Sequence, residues 1–311
     1  MMKYLISILL LVFTVMPIVA QDTVETTTCP PDQTMIDDGG NKMFEVDVDG
    51  QARRYALFVP KSYDPEKAMP LVIVFAGATQ SVDDIAAMSK WHRLGEEKGF
   101  MTAYPESVDG WWNDGVVTTP ATLEIDDVAF AQSLIEDITG KWCVDKDRIF
   151  VSGASNGANM SARLICELSN EIAAAGVAGG GNFPFRDGCE PDRPVPIVIF
   201  FGTEDPVIPY EGGDSPYTSD MGFTDLPSVE GGVKAWAELY GCNPDPTEES
   251  ITSEVSLVSY SNCDGEAEVS LYRVDGGGHT WPGSSIGGMG KINHDIDATA
   301  LMWDFFVKHT P

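Results

Sequence analysis

The segment RIFVSGASNGANMSARL, residues 148–164, constrains this chain more than any other. A short apolar run of strand character leads directly into Gly153-Ala154-Ser155-Asn156-Gly157, and those residues open a stretch of helical periodicity. The GxSxG spacing alone is weak, because it arises by chance in about one chain in five at this glycine and serine content. Its setting carries the weight. A strand that turns into a helix across two glycines must bend sharply, and small neighbours let Ser155 hold a strained conformation with its hydroxyl exposed. A serine that merely caps a helix is the competing account.

Around this segment, short apolar runs bounded by turn residues alternate with helical patterns, which predicts an α/β fold: a mostly parallel central sheet with helices on both faces. MFEVDVD and RRYALFVP read as an N-terminal antiparallel pair. Core strands are expected at residues 71–75, from Phe100, at residues 148–152, from Val195 and from Val269. Helices are expected over SVDDIAAMSKWHRLGEEKG, DDVAFAQSLIEDITGKW, NGANMSARLICELSN, PSVEGGVKAWAELYG and DIDATALMWDFFVKH, the last with Asp295 or Asp297 at its N-terminal end. Residues 111–125 and 211–226 are Gly-rich and aromatic and read as loops over the sheet edge.

The chain has 311 residues. Residues 1–20 carry one Lys ahead of an apolar run, with Ile18 and Ala20 at the −3 and −1 positions, so a signal peptide cleaved near Ala20 and a secreted product are expected. Gln21, not a cysteine, follows that site, which argues against lipid anchoring, and no later segment approaches the ~18 apolar residues of a membrane span. Residues 21–42 read as an N-terminal extension and residues 43–311 as one catalytic domain. The formal charge of −29 comes with no basic run able to neutralise a phosphate backbone, which excludes nucleic acid as a partner. The carboxylates match no metal-ligand spacing, so no metal and no cofactor are expected, and a monomer is the default. Six cysteines in an oxidising compartment predict disulfides, with Cys242 and Cys263 the favoured pair. Cys29, Cys143, Cys166 and Cys189 leave three connectivities open, and Cys166 also reads as a simple buried helix thiol.

An alcohol needs a base within hydrogen-bond reach and an acid that fixes the tautomer of that base. Of four histidines, His92 and His309 fall in predicted helices and His294 in a loop before the last one. His279 alone follows the last core strand, in GGGHTWPG, and is the base of choice. The chain order nucleophile, acid, base puts the acid in VPIVIFFGTEDPVIPY, where Asp205 is preferred to Glu204. An oxyanion requires two N–H donors: the amide of Asn156 and one from the loop AGATQS, with Thr79 or Ala78 as its source. Trp111, Trp112, Trp281 and Tyr210 fall in loops at the same predicted edge, where they could stack on a planar substrate group.

Taken in order, AGATQS, WNDG, DDVAFAQSLI, RIFVSGASNGANMSARL, FFGTEDPVIPY, AWAELYGC, GGGHTWPG and DIDATALMWDFF resemble the polyhydroxybutyrate depolymerase and feruloyl esterase group of secreted α/β hydrolases, over about residues 44–309. The resemblance implies an α/β-hydrolase fold, a triad of Ser155, Asp205 and His279, no cofactor, and an ester as substrate, either feruloyl or other aromatic, or hydroxyalkanoate polyester. The pattern departs at Ala76-Gly77, where the group usually has His-Gly, at Ala158, where a second glycine is usual, and at Phe201, where a histidine is common. Acyl transfer or peptide hydrolysis on the same triad, and a non-catalytic binding protein on the same scaffold, are the rival expectations.

Overall fold

The computed structural model describes residues 29–31, 41–115, 124–182, 184, 188–217 and 225–310. The predicted signal peptide, most of the N-terminal extension and the centres of both long loops lie outside these residues.

Strands β1 (Asn41–Val48) and β2 (Gln51–Phe58) form an antiparallel hairpin in full register, Asn41 facing Phe58 and Val48 facing Gln51. Its two-residue turn is Asp49-Gly50, both with positive φ (52° and 83°), the geometry that matches the right-handed strand twist. Next come β3 (Met69–Phe75), β4 (Met101–Pro105), β5 (Val144–Ala154), β6 (Ala174–Ala178), β7 (Ile197–Gly202), β8 (Thr247–Ser250), β9 (Val255–Tyr260) and β10 (Val269–Val274). They lie side by side in one sheet in the order β1-β2-β4-β3-β5-β6-β7-β10-β9-β8. The six strands from β4 to β10 are mutually parallel, and antiparallel strands close both edges.

Because successive side chains of a strand point to opposite faces, each central strand feeds two cores. Leu71, Ile73 and Phe75 of β3 join one core with side chains of α3 (Asp127–Lys141), α4 (Asn156–Glu167) and α5 (Val229–Leu239). Val72 and Val74 join the other, built on α1 (Val82–Ser89), α2 (Trp91–Lys98) and α6 (Ala298–Lys308). With both faces covered, β3, β4, β6 and β7 are buried throughout, which is why they read as unbroken apolar runs. From β3 the chain crosses to β4 on one side and returns to β5 on the other. Such a reversal opens a crevice at the carboxyl ends of the two strands, and both the 76–80 loop and Ser155 leave the sheet there.

Three elements differ from the sequence expectation. The single helix predicted after β3 is two, broken at Lys90, whose φ is 57°. The break frees the carbonyl of Ser89 to accept a bond from Thr299 Oγ1 (2.6 Å) and turns Trp91 into the core, where its indole N–H reaches Ser152 Oγ (3.1 Å). Strand β6, AAGVA, has too little side chain to signal a strand, yet its size is required: a methyl on Gly176 would sit 2.7 Å from Met302 of α6. Finally, β8 and β9 add an antiparallel edge whose outer strand, TEES, is fully exposed and has no apolar pattern to detect.

Disulfides join Cys29 to Cys143, Cys166 to Cys189 and Cys242 to Cys263. The favoured pair forms, and the sequence expectation of a free helix thiol at Cys166 is corrected. That residue lies in the last turn of α4 and is tied to the segment before β7. Among the described residues, no helix is long and apolar enough to cross a membrane.

Candidate active site

Ser155 sits between the last residue of β5 and the first of α4, with φ 53° and ψ −120°, a conformation a non-glycine residue adopts only under constraint. The constraint is visible on both sides. A methyl on Gly153 would lie 2.2 Å from the carbonyl oxygen of Gly157, and one on Gly157 would lie 2.2 Å from that of Phe75. The helix therefore starts in contact with the end of β3. The amide of Ser155 donates to Ala178 O (2.9 Å), which pins the turn to β6 as well.

His279 follows β10 and is held by its own backbone. Its N–H donates to Met289 O (2.7 Å) and its carbonyl accepts from Met289 N–H (2.9 Å). Close backbone packing demands glycine on both sides of this loop: a Cβ on Gly278, just before His279, would meet Met289 O at 2.3 Å, and one on Gly202, at the end of β7, would meet Gly277 O at 2.2 Å. The imidazole lies over Gly179, the residue after β6: a methyl there would be 3.1 Å from Cε1 and 3.7 Å from Nε2. Gly179 directly follows Ala178, whose carbonyl holds Ser155 N, so His279 and Ser155 stand over the same turn.

Asp205 completes the line. Its Oδ2 is 2.7 Å from His279 Nδ1, while Oδ1 accepts the amides of Val207 (2.8 Å) and Ile208 (2.9 Å). The carboxylate is almost wholly buried, whereas neighbouring Glu204 points to solvent. The other histidines stand elsewhere. His92 packs on Tyr104 and Phe58, and burial lowers its affinity for a proton. His309 ends α6 beside Glu268, and His294 is exposed.

The two segments expected to supply oxyanion donors differ in what their amides do. The amide of Asn156, at the first turn of α4, has no acceptor among the described residues, while its side chain is tied to Trp112 N (2.8 Å), Trp112 O (3.2 Å) and Asp114 Oδ2 (2.7 Å). The favoured Thr79 amide is corrected. Thr79 has φ 62° and its N–H is turned onto Gly110 O at 2.7 Å. The amide of Ala78, the other sequence candidate, donates to no described acceptor. Gln80 organises this loop by accepting the Gly77 N–H on its Oε1 (2.8 Å), a bond made within the segment that departs from the usual His-Gly.

Three of the four aromatic candidates are corrected. Trp112 is fully buried against Phe75 and Phe130, with its indole N–H on Ala76 O (2.9 Å). Trp281 is buried with its N–H on Thr299 Oγ1 (3.0 Å). Tyr210 is buried edge-on to Phe201 and bonded to Glu230, and burial first, then that carboxylate, keeps its phenol protonated. All three are core packing with their polar atoms already satisfied, so none offers a ring face to a ligand. Trp111 is half-buried and keeps open surface. The residues missed by sequence reasoning are Gly179 under the imidazole and buried Asp114, which accepts from both Asn156 and Asn159 (3.2 Å). The WNDG block carried the only signal for Asp114.

Among the described residues, no group of three or more His, Cys, Asp or Glu side chains is placed to hold a metal ion.

The chain is 31% identical over 240 residues to Feruloyl esterase B of Piromyces equi, covering 73% of this chain and 42% of that protein, so it spans less than half of that relative. It is 28% identical over 166 residues to Feruloyl esterase C of Emericella nidulans, covering 52% of this chain and 58% of the other. Among solved structures, the acetyl xylan esterase from Aspergillus awamori superposes with a TM-score of 0.55 at 16% identity, over 77% of this chain and 94% of that one, a likeness of fold. Residues 53–187 match the family model described as esterase PHB depolymerase, PHB being polyhydroxybutyrate. With its mostly parallel sheet covered by helices on both faces, the chain has the α/β-hydrolase fold, and over residues 53–187 it is similar to the esterase PHB depolymerase family.

Proposed function

We propose that the protein is a secreted serine carboxylic-ester hydrolase with Ser155 as nucleophile, His279 as base and Asp205 as the acid that orients it. The observation that carries the reading is the strained Ser155 at the crevice edge, on a turn shared with the imidazole of His279, itself 2.7 Å from a buried Asp205 carboxylate. With Nδ1–H donated to Asp205, Nε2 is the free lone pair that accepts the Ser155 proton.

The serine oxygen attacks the ester carbonyl as His279 takes its proton, and the negative oxygen of the tetrahedral adduct meets the amides of Asn156 and Ala78. The imidazolium returns that proton to the departing alkoxide as the C–O bond breaks, leaving an acyl-serine. Water, deprotonated by the same imidazole, then releases the acid and regenerates Ser155. Three disulfides suit an oxidising, extracellular compartment.

The names of the relatives favour feruloyl or other aromatic esters of plant polysaccharide over hydroxyalkanoate polyester as the natural substrate. Of the four aromatic candidates, Trp111 is the one with open surface to meet such a group. Methyl ferulate, acetylated xylan, hydroxybutyrate oligomers and p-nitrophenyl acetate, each assayed with the wild type and Ser155→Ala, test the proposal. The wild type should turn over methyl ferulate with the highest kcat/KM of the natural ester types, and Ser155→Ala should lose at least ~10⁴-fold on every ester. Retained activity in Ser155→Ala refutes the mechanism, and preference for hydroxybutyrate oligomers refutes the substrate.

A further inference from the structure

The segment that pins His279 also exposes apolar surface. His279 and Met289 exchange both backbone hydrogen bonds, at 2.7 and 2.9 Å, so they are a directly opposed antiparallel pair. Side chains of such a pair project from the same face with Cα atoms about 5.5 Å apart. The thioether of Met289 therefore stands beside the imidazole. It is 39% exposed, and Ile286, three residues earlier, is 48% exposed. The other end of the segment reaches the oxyanion loop: a methyl on Gly287 would lie 3.0 Å from Met88 Sδ, which accepts from Gln80 Nε2 (3.9 Å), the residue holding Gly77 N–H. Residues 286–289 thus run from the oxyanion loop to the base. The other exposed large hydrophobics among the described residues, Met43, Tyr217, Leu239, Ile251 and Val307, fall in five different elements or loops.

Resting on the esterase reading, we propose that Ile286 and Met289 form the subsite for the alcohol portion of the ester and select alcohols that present an extended apolar face. The direction follows from the proton path. His279 hands its proton to the departing alkoxide oxygen, so the alcohol leaves against the imidazole edge, and whatever flanks that edge touches the alcohol rather than the acyl chain. An unbranched thioether beside a branched aliphatic chain gives an adaptable apolar ledge without a hydrogen-bond requirement.

Two series of esters test this: methyl, ethyl and n-butyl acetate vary the alcohol, and methyl acetate, propionate and butyrate vary the acid. In the wild type kcat/KM rises along the alcohol series. In Met289→Gln, and separately in Ile286→Thr, the butyl-to-methyl ratio falls about tenfold while the ratios along the acid series keep their wild-type values. Ile286→Thr changes an exposed side chain away from the His279 backbone pair, so it reads the ledge without disturbing the base. Loss by one common factor on all esters, or a change that follows the acid series, overturns the proposal. Should hydrolysis survive Ser155→Ala, the serine mechanism fails. Ser155-dependent hydrolysis with an unaltered alcohol ratio removes the ledge alone.

Discussion

Asp205→Asn is expected to lower kcat/KM on p-nitrophenyl acetate by about 10³–10⁴-fold without unfolding the protein. Its two carboxylate oxygens have different partners, and that difference predicts which way an amide would sit. Oδ1 accepts the amides of Val207 and Ile208, two donors from which an NH₂ group cannot accept. The asparagine would keep its carbonyl there and present its NH₂ to His279 Nδ1, now 2.7 Å from Oδ2. The imidazole must then carry its proton on Nε2, where it can no longer accept from Ser155. Steady-state kinetics beside a thermal melt check this. A loss below tenfold with the melt unchanged would mean that Asp205 does not set the tautomer.

Gly157→Ala is expected to destabilise the fold by about 3 kcal/mol or more, because the new methyl would lie 2.2 Å from Phe75 O and 2.4 Å from Ala76 O, both backbone atoms that cannot swing away. Relief would require α4 to lift from the end of β3, dismantling the turn that strains Ser155. The same substitution at Gly140 should have the opposite sign. Gly140 lies in α3, exposed, with nothing within 4 Å of a new methyl, so alanine there should stabilise by about 0.5–1 kcal/mol through helix propensity. Urea titrations of the two variants against wild type compare these signs directly. Equal effects at both positions would contradict the steric account of the turn.

The parts of the site that were legible in the sequence are those written in local chemistry. Gly153 and Gly157 punctuate a strand-to-helix turn, Asp205 precedes Pro206 at a strand end, and three glycines precede His279. The central strands were legible because burial on both faces makes them continuous apolar runs. What escaped depends on packing between distant segments. Trp112 and Trp281 look like stacking platforms in sequence, and only the positions of Phe75, Phe130 and Thr299 make them core. Thr79 carries no local sign of a left-handed backbone, yet that turn sends its amide to Gly110. Gly179 belongs to a run of three glycines that has no meaning until the His279 imidazole, a hundred residues later, is laid upon it. Strand β6 escaped for a related reason, since its small residues answer to Met302 of α6 rather than to any strand propensity.

The central claim is that Ser155, and no other residue, forms the covalent acyl intermediate. Treating the protein with a fluorophosphonate ester and mapping the adduct by peptide mass spectrometry tests it most directly. The account predicts one phosphonyl group per chain, on the peptide containing Ser155, with esterase activity lost in proportion to labelling and no adduct in Ser155→Ala. An adduct on another residue that tracks the loss of activity, or full activity with Ser155 completely labelled, would contradict it.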